Sequence, residues 1–134
     1  MAQPPSPTDA ELDVLKCFWR DGDLSAREVQ TRIAADLGWT SSTTRTVLER
    51  MRAKGILGRR DAHGIAVYSP AQPKVTVIHG VMRRLAAMLD IDGALPAAAF
   101  SGSQILDAGE IAQLEAALAA DAARGADKGK GKAE

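Results

Sequence analysis

Apolar positions recur along this chain with a helical period, interrupted by short glycine- and proline-marked breaks. The first periodic run places Leu12, Leu15 and Trp19 on one face, widened by Val14 and Phe18. Thr8 and Glu11 stand ahead of it at the spacing of a capping box, in which hydroxyl and carboxylate each satisfy a backbone N–H. Asp21-Gly22-Asp23 breaks this helix. Ser25 and Glu28 repeat the capping box before Val29, Ile33 and Leu37, which step by four towards the terminating glycine, Gly38. After Trp39, a third helix opens at Thr40, carries Val47, Leu48 and Met51 on its apolar face, and stops at Lys54-Gly55.

The period then changes. Ile56–Arg60 and Ile65–Ser69 are short β-type runs around Asp61-Ala62-His63-Gly64, which predicts a hairpin. Pro70 and Pro73 end it and mark a boundary. Val75 to Leu89 is helical again, with Val77, Ile78, Val81, Met82, Leu85 and Leu89 on a wide apolar face. Asp92-Gly93 breaks it and a short alanine-rich turn runs from Leu95 to Phe100. Asp107 and Glu110 form a further capping box that opens a helix through Ile111, Leu114 and Leu118.

The expected plan is a flexible, proline-rich arm over 1–7, a first domain over 8–73, a helical region over 74–120, and a disordered Gly/Lys/Ala tail over 121–134. Three helices and a hairpin within about 65 residues is the element order of a winged helix-turn-helix, whose second motif helix enters the major groove of DNA. The fold class is therefore mainly α with a small β-hairpin: a winged helix-turn-helix DNA-binding domain followed by a C-terminal helical dimerisation region. The apolar face of 75–89 is too wide for one short helix to cover, so Val77, Ile78, Val81, Met82, Leu85 and Leu89, with Ile111, Leu114 and Leu118, are the expected dimer contacts.

Composition narrows the chemistry. The chain has 134 residues and one cysteine, Cys17, which excludes an intramolecular disulfide and any multi-cysteine metal site. Cys17, Trp19 and Trp39 are expected in the core. No run is long and apolar enough for a membrane span and no signal-peptide pattern opens the chain, so a cytoplasmic protein without membrane insertion is expected. No catalytic set emerges from two histidines in unrelated contexts and no glycine-rich phosphate loop, so neither enzyme activity nor a cofactor or metal is expected.

Net charge is zero, from 17 basic and 17 acidic residues, but the charge is polarised. Between Thr40 and Arg60, six basic residues (Arg45, Arg50, Arg52, Lys54, Arg59, Arg60) face a single acid, Glu49. A local positive stripe is what phosphate binding needs, whatever the global sum. Ser41, Ser42 and Thr43 offer hydroxyls at a helix start whose N–H groups attract phosphate, and Arg45 and Thr46 lie one turn further on, with Arg50 beyond. Arg59, Arg60 and His63 belong to the hairpin, at positions suited to phosphate or the minor groove. Because alternate strand residues face opposite sides, one of Arg59 and Arg60 is expected towards DNA and the other beside the groove or on an acid such as Asp61.

These residues also carry a resemblance. Pro7 through Trp19, Ser25-Ala26-Arg27-Glu28-Val29, the stretch from Trp39 through Met51 to Lys54-Gly55, and Val67-Tyr68-Ser69-Pro70 resemble the BlaI/MecI penicillinase-repressor family. The likeness is strong over 7–73 and continues more weakly to 120. It implies a homodimer that binds a palindromic operator and represses transcription, in its antibiotic-responsive members of β-lactam or cell-envelope stress genes. It implies dimerisation through the C-terminal helices. It also implies an inducing pathway in which a membrane sensor triggers proteolysis at an asparagine–phenylalanine bond. The corresponding pair here is Ala99-Phe100, in which the phenylalanine is present and the asparagine is not. The paired cysteines of copper-responsive relatives are absent. The alternative function is a winged-helix protein-interaction module without specific DNA binding, which neutral net charge would suit; salt-sensitive DNA binding separates the two.

Overall fold

The computed structural model describes residues 6–91 and 102–132, with side chains as far as Arg124. Its elements are α1 (Asp9–Asp21), β1 (Leu24–Ser25), α2 (Ala26–Leu37), α3 (Ser41–Ala53), β2 (Leu57–Ala62), β3 (Ile65–Pro70), α4 (Lys74–Met88) and α5 (Ala108–Lys132). They divide into two compact units, Met1–Lys74 and Val75–Glu134.

Local chemistry sets the helix starts in the first unit. Thr8 and Glu11 exchange hydrogen bonds of 2.9 and 3.2 Å, as do Ser25 and Glu28. Gly38 ends α2 in the left-handed conformation that only glycine adopts cheaply, with its N–H donating to the Ala34 carbonyl. The β2–β3 hairpin turns through His63 and Gly64, both at positive φ (52° and 77°), the backbone of a tight two-residue hairpin loop. Leu57 to Ala62 pair antiparallel with Pro70 to Ile65, so the strands reach one or two residues further than the sequence runs suggest.

The sheet has a third strand that the sequence does not reveal. Leu24–Ser25 pairs antiparallel with Tyr68 and Val67, giving the order β1-β3-β2. The core beneath it is built from Val14, Leu15 and Phe18 of α1, Leu24, Val29 and Ile33, Leu48 and Met51 of α3, and Ile56, Leu57 and Tyr68. Cys17 is buried as expected. Trp19 and Trp39, expected as anchors, are only half-buried, as are Leu12, Leu37 and Val47. Pro7, assigned to the arm, is instead buried. It directly precedes the Thr8 cap, the position where an apolar side chain commonly packs to fix the chain's entry into a helix.

One tertiary pair ties the two ends of this unit's helical layer together. The Glu11 carboxylate is buried and accepts from the Lys54 ammonium at 2.7 Å, as well as from the Thr8 N–H. Burial pushes the Glu11 carboxyl up, but the bonds from Lys54 and Thr8 outweigh it and hold it below the usual carboxylate range.

In the second unit, Ile78 and Met82 of α4 are buried, together with Leu106, Leu114 and Leu118. His79 on α4 meets Asp121 on α5, and Asp121 also pairs with Arg83 at 3.7 Å and with Arg124. The predicted Asp107–Glu110 box forms with bonds of 3.0 and 2.8 Å. The helix it opens runs to Lys132, past the boundary expected at 120 and through the segment expected as a disordered tail. Alanine has the highest helix propensity, and Ala116, Ala117, Ala119, Ala120, Ala122 and Ala123 carry the helix forward. Asp92, Gly93, the turn from Leu95 to Phe100, and with it Ala99-Phe100, lie outside the described residues.

Candidate nucleic-acid interface

The site is one face of α3 and the hairpin beside it. Thr40 caps α3, its hydroxyl accepting from the Thr43 N–H at 3.1 Å and donating to the Thr43 hydroxyl at the same distance. The Thr43 amide is thereby committed to the cap, leaving those of Ser41 and Ser42 at a helix start that has no intrahelical acceptors for them. The inner face of α3 is anchored by Thr44, Leu48 and Met51, all buried. The Thr44 hydroxyl sits against the Gln30 side-chain Oε1 of α2 and the Thr40 backbone carbonyl at 3.0 Å, while Gln30 Nε2 donates to the Trp39 carbonyl at 2.7 Å. These bonds lock α3 to α2 across the short link at Gly38–Thr40.

With that face held inward, Ser41, Ser42, Thr43, Arg45, Thr46 and Arg50 are all exposed. So are Arg59 and Arg60 on β2 and His63 in the turn. The fold thus brings the nine residues singled out from sequence to the surface of α3 and the adjoining hairpin.

Their electrostatics differ from the sequence expectation in one respect. Arg45 and Arg50 have no ion-pair partner among the described residues, but both hairpin arginines do. Arg59 Nη1 lies 3.1 Å from Glu49 Oε2, nearer than the 3.9 Å from Arg59 to Asp61, and its guanidinium sits 6.0 Å from the centroid of the Tyr68 ring. Arg60 reaches Asp23 at 3.4 Å. The Asp61 partner named from sequence is therefore one of two acids on Arg59, and Arg60 meets an acid as well. Pleating sends the two to different neighbours, Arg59 chiefly to Glu49 of α3 and Arg60 to Asp23.

Glu49 joins α3 to the hairpin. Its Oε1 accepts from Arg52 Nε and Nη2 at 3.1 and 2.9 Å, and its Oε2 from Arg59 and from the buried Tyr68 hydroxyl. The Arg52 and Tyr68 hydrogen bonds, reinforced by both guanidinium charges, hold the Glu49 carboxyl down at about 2, so it stays ionised. Burial, with the Glu49 contact, pushes the Tyr68 hydroxyl up, so it remains a donor. An open cleft runs between α3, the start of α2 and the hairpin, lined among others by Arg27, Arg45, Glu49, Arg59 and Ile65. Arg27 was not singled out from sequence; its signal was its place just after the Ser25 cap, at the start of the helix preceding α3.

The residues expected at a dimer seam divide in two. Ile78, Met82, Leu114 and Leu118 are buried within the chain itself, and Val77, Val81 and Ile111 are half-buried. Leu85 and Leu89 stay exposed, joined by Met88, Ile91 and Ile105, which sequence reading passed over. A helical period alone does not say whether an apolar face meets its own chain or another.

Comparison with known proteins agrees with this geometry. The model of the penicillinase repressor family matches residues 7–120. The penicillinase repressor of Bacillus licheniformis is 31% identical over 70 residues, covering 52% of this chain and 55% of that protein, so the match spans about half the length of the relative. The solution structure of the Bacillus licheniformis BlaI monomeric form, in complex with the blaP half-operator, superimposes with a TM-score of 0.50 at 29% identity, covering 57% of this chain and 93% of that one. The BlaI DNA-binding domain in solution gives 30% identity and a TM-score of 0.49 over 55% of this chain and 89% of that one. A family match over most of the chain, on a winged helix with an exposed hydroxyl- and arginine-bearing third helix, means that this chain belongs to the penicillinase repressor family.

Proposed function

We propose that this chain is a sequence-specific DNA-binding transcriptional repressor that acts as a homodimer on a palindromic operator. The observation that carries the reading is the two-sidedness of α3. Thr44, Leu48 and Met51 seal its inner face, while Ser41, Ser42, Arg45, Thr46 and Arg50 stand clear of the protein on the outer one. In the major groove, such a face presents one guanidinium able to bond guanine bidentately and short hydroxyls for neighbouring positions. Arg59, Arg60 and His63 on the hairpin lie at its flank, where contacts to the DNA backbone set register without reading sequence.

The BlaI relative, whose monomeric form was solved with a half-operator, supports one winged unit per half-site. A palindrome would then take two units, and the exposed Leu85, Met88 and Leu89 offer apolar surface for a second copy. The penicillinase repressor relative supports genes of antibiotic resistance as targets.

The test is selection of duplexes from a random pool, followed by binding at several salt concentrations. A two-fold symmetric selected sequence, with affinity falling as salt rises, is the expected result. Failure to enrich any sequence, together with no salt-dependent DNA binding, overturns the proposal in favour of a protein-interaction module.

A further inference from the structure

Among the described residues, both hairpin arginines are paired with a carboxylate from elsewhere in the domain, whereas Arg45 and Arg50 on the reading face have no ion-pair partner. Arg59 is bonded to Glu49 of α3 and Arg60 to Asp23, which precedes β1. Glu49 also holds Arg52, so this one carboxylate is shared between two guanidinium groups and offsets one of their two charges. These partners lie 10 and 37 residues away from their arginines in sequence, so the pairing is a product of the fold.

We propose that Glu49 and Asp23 are specificity-determining residues, which keep Arg59 and Arg60 closed against the phosphates of non-cognate DNA and so leave the reading face of α3 to decide where the protein binds. This inference rests on the DNA-binding reading above and deepens it. Binding to arbitrary sequence is almost wholly phosphate neutralisation, and each phosphate engaged contributes about 0.9 to the slope of log K against log salt. A hairpin arginine already paired with a carboxylate brings less net charge to the backbone. Surface ion pairs are weak enough to open when contacts on the cognate site hold the hairpin close to a phosphate, and they stay closed when no such contacts form. The acids therefore act mainly on the off-target state. Glu49 is the better placed of the two. It is fastened on both oxygens, borders the same cleft as Arg45, and is kept ionised by its donors.

The experiment compares the full chain with its Asp23→Asn and Glu49→Gln variants. Each binds a mixed-sequence duplex and a duplex selected by the parent, across a salt series. Asp23 lies on the surface, so Asp23→Asn leaves the fold intact; Glu49→Gln keeps an acceptor for Tyr68, and thermal melting checks its fold. The expected result is mixed-sequence binding tighter by about five- to tenfold per variant for each subunit engaged in 0.1 M salt, with a slope steeper by about 0.9 per freed arginine per subunit. The selected duplex should gain less, so the ratio of the two affinities falls. A parent that binds neither duplex overturns the repressor reading and this inference with it. A parent that binds, with an Asp23→Asn variant whose mixed-sequence affinity and slope match the parent's, overturns this inference alone.

Discussion

Lys54→Met tests whether the two ends of the winged domain are joined as the structure has them. Lys54 closes α3, and its ammonium is the only cation bonded to Glu11 among the described residues, with a separation of 43 residues in sequence. The Glu11 side chain is 5% exposed and that of Lys54 is 32% exposed. Breaking a fully buried pair costs about 3–5 kcal/mol, because a charge is left without a partner, whereas an exposed pair contributes about 0–1 kcal/mol. With one partner buried and the other a third open to water, the expected loss is about 1–2 kcal/mol. Methionine keeps the length of the aliphatic stem, so little of this is lost packing. For a unit of this size the loss corresponds to a fall in Tm of roughly 5–15 °C.

The loss also has a pH signature. The Glu11 carboxyl lies below its ordinary value of 4.5 in the folded parent, so its stabilisation is complete above that value and is lost as pH falls through the folded value. Without Lys54, burial acts with less opposition, the folded value rises, and stability begins to fall at higher pH than in the parent. Urea denaturation from pH 3 to 7, on the parent, Lys54→Met, Glu11→Gln and the double variant, measures both effects. A coupling energy near 1 kcal/mol or more between the two positions is expected. A Lys54→Met protein within about 0.5 kcal/mol of the parent at every pH would show that the Thr8 cap alone satisfies Glu11, and the reasoning would fall.

Three further outcomes are expected. Arg45→Ala should weaken binding to the selected duplex by about 1–3 kcal/mol and relax preference at one base pair per half-site, read with base-substituted duplexes; a uniform loss on all sequences would make Arg45 a phosphate contact. Thr44→Val should cost about 1–2 kcal/mol in urea denaturation, because it removes the buried hydroxyl that bonds the half-buried Gln30 side chain. Leu85→Asp combined with Leu89→Asp should shift the chain from dimer to monomer in sedimentation while helicity stays constant; an unchanged dimer would place the seam elsewhere.

Features of this protein that depend on neighbours three or four residues apart were legible without a structure. The reciprocal bonds of Thr8 with Glu11, Ser25 with Glu28 and Asp107 with Glu110 form where their spacing predicts, because helix capping is contained within one turn. The order of three helices and a hairpin, and the exposure of Ser41 to Arg50 on the side of α3 opposite Leu48, follow from the same short-range periodicity. What joins distant parts of the chain was not legible. A strand of two residues, Leu24–Ser25, is too short to show alternation, and it exists only because Tyr68 and Val67 of β3 present a free edge. Glu49 read as one acid among many basic residues until folding set Arg59 and Tyr68 against it, and Lys54 read as a helix-terminating charge until Glu11 arrived beneath it. Whether Met82 or Leu89 faces the interior is likewise a matter of which element packs above each, since both satisfy the same helical period. Ion pairs and burial are pairwise properties of residues that only the closed chain brings together; caps and amphipathic periods belong to the local sequence itself.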